Sequence, residues 1–156
     1  MANTAALAFA TGVLTSSGVF TDTQTVVVGG KTYTTQTTLT NVDGNVLIGA
    51  SAAATLQNLY DAINLTGTPG TQYAAAMTKN ERVKATAVTA TTLTVKAAVA
   101  GTLGNLIAST ETQTNASWGG ATLSGGTGDI GIVLDVVKAT MQLNSELLKV
   151  FADFAA

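Results

Sequence analysis

Two adjacent glycines, Gly29 and Gly30, stand between a Val-rich run at residues 25–28 and a Thr- and Tyr-bearing run at residues 31–35. That pattern limits the fold more than any other in the chain. A two-residue hairpin turn needs positive φ, which glycine adopts without steric cost, and β-branched residues on both sides favour extended backbone. A hairpin over residues 25–35 therefore anchors a β-rich reading. Before it, residues 12–20 read as a first strand, with Thr21-Asp22-Thr23 as a turn. After it, Asn41-Val42-Asp43-Gly44-Asn45 is another turn signal, followed by the apolar run Val46-Leu47-Ile48. Residues 83–88 and 93–99 flank Thr89-Ala90-Thr91-Thr92 and predict a second hairpin, with Lys84 and Lys96 at solvent-facing or edge positions. Residues 101–108 read as a loop, and residues 110–117 and 121–124 as a last strand pair around Trp118-Gly119-Gly120.

The period changes twice. Leu56, Leu59, Tyr60 and Ile63 fall at i, i+3, i+4 and i+7 within residues 51–64, which predicts a helix with one apolar face. Ser51 or Thr55 can cap its start, and the only proline, Pro69, follows its end. Leu56, Leu59 and Ile63 are expected to face a sheet. Residues 73–77 are apolar but too few to assign.

The second change comes at the C-terminus. Asp129 is a plausible N-cap for a helix of up to roughly 25 residues. Ile130, Leu134, Val137, Met141, Leu148 and Phe151 follow a 4-3 spacing interrupted by Asn144. Val133, Leu147 and Phe154 widen that stripe, and the opposite face carries Asp135, Lys138, Gln142, Lys149 and Asp153. This is the spacing of a coiled-coil seam, and Asn144 sits where a polar residue fixes register. The seven residues Ile130, Leu134, Val137, Met141, Asn144, Leu148 and Phe151 are thus the expected oligomer interface, with three chains the expected number. The helix folding back on its own domain, or docking on another protein, stays open. The fold class expected is mainly β (α+β): a β-sandwich-like domain at 12–126 with one packed internal helix, preceded by an arm at 1–11 and followed by a long amphipathic assembly helix at 127–156.

The chemistry is limited by what is missing. The chain has no Cys and no His, so it offers no disulfide, no thiolate and no imidazole base or ligand. Its nine acidic residues are scattered, without the neighbouring pair a hydrolase site uses. Gly126-Thr127-Gly128-Asp129-Ile130-Gly131 matches G-x-G-x-x-G before a helix, but no second strand follows to complete a dinucleotide fold. It reads better as a linker and helix start. Asp43-Gly44-Asn45 lacks the spaced oxygens and distal Glu of a calcium loop and reads as a turn. Asn64-Leu65-Thr66 and Asn115-Ala116-Ser117 are glycosylation sequons only in a secreted eukaryotic protein. Trp118 or Tyr33 would serve as a ligand platform only if exposed; core packing is the commoner fate of such aromatics. The expectations are no catalysis, no cofactor and no metal. A net charge of −2 gives no basic field for nucleic acid or an anionic membrane. No apolar run reaches the roughly 18 residues of a membrane span. The start, Met1-Ala2-Asn3-Thr4, lacks a basic n-region, and residues 5–10 are short for a signal core, which points to synthesis in a cytoplasm.

Several segments together resemble a known module. They are Gly29-Gly30-Lys31-Thr32-Tyr33-Thr34, the helix entry from Ile48-Gly49-Ala50-Ser51 to Leu56-Gln57-Asn58-Leu59, and Asp61-Ala62-Ile63-Asn64. Gly101-Thr102-Leu103-Gly104-Asn105 and the stretch from Asn115 through Trp118-Gly119-Gly120 to Gly126 continue the match. Residues 11–126 resemble a small β-rich module of tailed-bacteriophage virion proteins. The order of hairpin, helix and hairpin is similar also to the insertion motif of bacterial flagellins and hook proteins. The resemblance implies a non-catalytic virion subunit, made in the bacterial host cytoplasm. A head decoration or cement protein binding the major capsid protein as a homo-oligomer is the first expectation. A tail tube, baseplate or fibre component is the alternative, and a carbohydrate- or cell-surface-binding module using Trp118 is an alternative of another class.

Overall fold

The computed structural model describes residues 6–128, 140–145 and 147. In chain order the elements are β1 (Thr11–Ser16), β2 (Thr25–Val28), β3 (Lys31–Gln36), β4 (Asn45–Leu47), α1 (Ala52–Asn64), β5 (Val83–Val88), β6 (Thr92–Ala97), a 3-10 helix (Thr102–Leu106), β7 (Ser109–Glu111) and β8 (Ala116–Trp118). The strands form two four-stranded sheets, ordered β5-β6-β1-β8 and β4-β3-β2-β7. The body is therefore mainly β with one α-helix, an α+β protein of the β-rich kind.

The glycine pair does what its chemistry requires. Gly29 and Gly30 have φ of 64° and 80°, and Val28 faces Lys31 across the turn. Positive φ at both central residues matches the twist of the flanking strands. β5 and β6 form the second expected hairpin, with an irregularity between Ala85 and Ala87. β4 joins β3 in parallel, a pairing that no local pattern announces.

Three expectations need correction. β1 ends at Ser16, so residues 17–20 leave the strand. Residues 101–108 are not merely a loop, because the 3-10 helix lies within them. Residues 110–117 and 121–124 do not form one strand pair. β7 and β8 instead belong to different sheets, β7 pairing with β2 and β8 with β1. Residues 121–124 make single bridges, Thr122 to Ala108 and Ser124 to Thr11. Three-residue strands are too short to prefer a sequence neighbour over a better-placed distant partner.

α1 follows its sequence closely. The Ser51 hydroxyl accepts the Ala54 amide at 3.1 Å as N-cap, and Leu65 closes the helix in the left-handed region at φ 54°. Leu56, Leu59 and Ile63 are fully buried, and the helix lies against β4 of one sheet and β5 and β6 of the other. On the opposite side the two sheets meet where β7 runs beside β8. Leu14, Leu93 and Val95 from one sheet share a single core with Val26, Val28, Tyr33 and Val46 from the other. Among the described residues, no helix is long and apolar enough to cross a membrane.

Candidate functional site

Sheet edges are the first places to look for a partner surface, since unpaired backbone groups invite another strand. Here all four carry local partners. At β4, the Leu47 amide donates to the Gln72 carbonyl and the Ala74 amide to the Asn45 carbonyl. At β7, the Ser109 amide donates to the Ala121 carbonyl. At β5, the Asn64 side chain acts as a short false strand. Its Nδ2 donates to the Ala85 carbonyl and its Oδ1 accepts the Ala85 amide, each at 3.0 Å. At β8, Glu111 Oε2 accepts the Trp118 amide at 3.3 Å.

The interior is equally closed. The Asp61 carboxylate, buried at the end of α1, accepts from Thr66 Oγ1 and from the side-chain amides of Gln57 and Gln72. Burial and the nearby Asp61 charge together push the Tyr73 hydroxyl up. Asn80 Nδ2 donates to the Val28 carbonyl and the Tyr33 hydroxyl. Burial pushes Tyr33 up to about 12, against that Asn80 bond and with help from the Asp43 charge. Among the described residues, no buried side-chain nitrogen or oxygen lacks a partner.

Asp43 does not face an open loop. Its carboxylate takes Lys31 Nζ at 2.7 Å and both the amide and hydroxyl of Thr78. Burial alone would raise its pKa, but the Lys31 and Thr78 hydrogen bonds and the lysine charge outweigh it and hold the group at about 2. Among the described residues, no three acidic side chains converge where a metal ion could sit.

Trp118 lies beside a cleft of about 440 Å³ that includes Thr11, Val13, Gly119, Gly120 and Thr122. Only 8% of the residue is exposed, and its indole N–H donates to the Thr110 carbonyl at 3.2 Å. The side chain thus ties β8 to β7 and presents little ring to a ligand. Tyr33 is fully buried.

What remains open is apolar. Leu103 and Leu106, on the 3-10 helix, are 68% and 71% exposed, and residues three apart eclipse in that geometry. With Val99, Leu103 borders a groove of about 250 Å³ floored by Gly104 and Ile107, with Glu81 and Arg82 at its rim. Gly104 brings the 3-10 helix down onto the body. A Cβ there would meet the Ala10 and Ala97 methyl groups at 2.8 and 3.0 Å. The C-terminal segment leaves the body at this same place. Asn105 clamps Gly126 with two hydrogen bonds, the Thr102 amide donates to the Gly128 carbonyl, and Ala8 and Thr127 pair backbone to backbone.

Of the seven expected interface residues, Met141 and Asn144 are helical and exposed. Ile130, Leu134, Val137, Leu148 and Phe151 lie outside the described residues. Met141, Leu143 and Leu147 of this tail helix are 68%, 70% and 53% exposed. The groove was missed in the sequence, although Leu103 and Leu106, three apart after Gly101, carry the 3-10 spacing that could have revealed the short helix beside it. No protein-family model, curated protein or solved structure matches the chain.

Proposed function

We propose that this chain is a non-catalytic structural subunit of a tailed-bacteriophage virion, a head decoration or cement protein that binds the major capsid protein as a homo-oligomer. The observation that carries the reading is a contrast within one molecule. Edges and buried polar groups carry partners inside the body, while large apolar side chains stand exposed at the 3-10 helix and the tail helix. Exposed apolar surface of this kind favours association. In this reading the two sheets are the layers of a β-sandwich-like domain, supported by the core they share. The assembly helix of this reading begins near Asp129, after the bridge at Thr127, with three copies joined along Ile130, Leu134, Val137, Met141, Asn144, Leu148 and Phe151. The virion assignment itself rests on the sequence resemblance.

The test is location and mass. Antibody labelling of purified particles should mark the head surface, and the isolated chain should run as an oligomer in solution. Label on the tail would move the protein to a tube, baseplate or fibre role. No label on any particle would remove the virion reading altogether.

A further inference from the structure

We propose that the outer face of the β5-β6-β1-β8 sheet, at its Arg82, Lys84 and Lys96 end, docks on an acidic surface of a partner protein. The inference rests on the virion-subunit reading above, which makes that partner the capsid. It adds the face through which the body meets it.

Strand alternation builds the face. In β5, Lys84 is exposed between the buried Val83 and Ala85, and in β6, Lys96 lies between the buried Val95 and Ala97. The two lysines are register partners, so they leave one face directly opposite each other, where like charges repel. Arg82 stands two residues before Lys84, and its carbonyl accepts the Ala98 amide, which extends the ladder and places Arg82 on the same face. Edge protection does not explain this arrangement. β6 is an inner strand, and Asn64 already closes the β5 edge.

The body supplies no counter-charge. Of the five cations in residues 6–128, Lys31 pairs with Asp43 and Lys79 with Glu81. The remaining acids there are engaged elsewhere. Asp22 accepts the Thr37 amide, Asp61 accepts the Gln57 and Gln72 side-chain amides, and Glu111 accepts the Trp118 amide. Among the described residues, Arg82, Lys84 and Lys96 pair with no carboxylate.

An apolar stripe runs beside these cations. Leu7, Phe9 and Val13 are exposed at alternate positions along β1 and its lead, on the face of Thr11, the register partner of Lys96. Lys96 Nζ lies 4.7 Å from the Phe9 ring centroid, which holds the charge against the stripe. Arginine and aromatic side chains side by side suit a protein interface. Nucleic acid is disfavoured, because the five cations of residues 6–128 are matched by five acids and create no long-range basic field. A membrane-binding face sinks about 5–10 Å into the headgroups, and here that would drag Thr11 and Thr15 in with the stripe.

Zero-length carbodiimide coupling tests the contact, because it joins a lysine amine to a carboxylate only where the two already touch. Purified particles carrying the chain are treated, digested and read by mass spectrometry, with Lys31–Asp43 and Lys79–Glu81 as internal standards. The expected result is a link from Lys84 or Lys96 to an Asp or Glu of a different protein. If the standards couple and neither lysine does, the proposal is overturned. Links from these lysines only to acids of the chain itself, Asp129, Asp135, Glu146 and Asp153 included, overturn it equally. So does release of the chain by nuclease or detergent, which would assign the face to nucleic acid or lipid. As a second arm, Lys84→Glu with Lys96→Glu changes side chains on the outer face only, so circular dichroism should be unchanged. Occupancy on particles should fall about tenfold or more. Unchanged occupancy overturns the face assignment and leaves the virion reading standing. A chain absent from purified particles removes the virion reading and this inference together.

Discussion

The chain has two helical stretches with apolar residues at helical spacing, and they end in opposite surroundings. In α1, Leu56, Leu59 and Ile63 are sealed between β4 of one sheet and β5 and β6 of the other. In the tail helix, Met141, Leu143 and Leu147 are each more than half exposed. Periodicity is present in both and cannot separate them, because it reports an apolar face and not what covers it. Their flanks do separate them. α1 follows β4 after only four residues, and its own polar residues bond the body. Asn58 donates to the Leu47 carbonyl and Asn64 caps β5. The tail helix follows Gly125, Gly126 and Gly128. A glycine-rich lead of this kind is a weaker tie than the short β4–α1 connection.

The contrast can be broken most directly at Leu59. Leu59→Ala removes a fully buried side chain and should cost about 2–5 kcal/mol in urea unfolding. A cost near zero would mean that α1 is no better covered than the tail. Ser51→Ala sharpens the comparison at the start of α1, where the lost cap should cost about 1 kcal/mol in the same assay. A smaller effect is expected from charge, away from both helices. The folded pKa of Asp43 lies near 2 against an ordinary 3.8, so its contribution is present above about pH 4 and is lost as pH falls towards 2. The side chain is 45% exposed, and solvent screening limits the contribution to about 1 kcal/mol or less. Asp43→Asn should therefore be less stable than wild type at pH 5, with the gap closing near pH 2. The smallest effect belongs to the tail: Leu143→Ala should change the unfolding free energy of the dilute chain by less than about 0.5 kcal/mol. A large loss there would show that the body depends on the tail after all.

Much of this was legible in particular residues. Gly29-Gly30 placed the β2–β3 hairpin, residues 83–97 the β5–β6 hairpin, and Ser51 with Leu56, Leu59 and Ile63 placed α1 and its buried face. These elements depend on neighbours in sequence. The missed features depend on distant ones. β4 lies parallel to β3, β7 and β8 separate into two sheets, and Glu111 guards the β8 edge. A three-residue strand carries too little pattern to name its partner. The groove was hidden for a related reason: Val99 and Leu103 fall in a short segment without helical or strand period, and the close approach allowed by Gly104 brings them together on one surface.

The pairing of Ala8 with Thr127 has a mechanical consequence. The bond is reciprocal and antiparallel, so the two chain ends leave the body side by side and in the same direction. A force drawing the ends apart loads these few bonds one after another, first Ala8–Thr127 and then Thr11–Ser124, as a zipper is loaded. A force pulling both ends together loads none of them in that way and is passed to the strands behind. The body can hang from both ends against a steady load, yet yields at its seam when they are splayed.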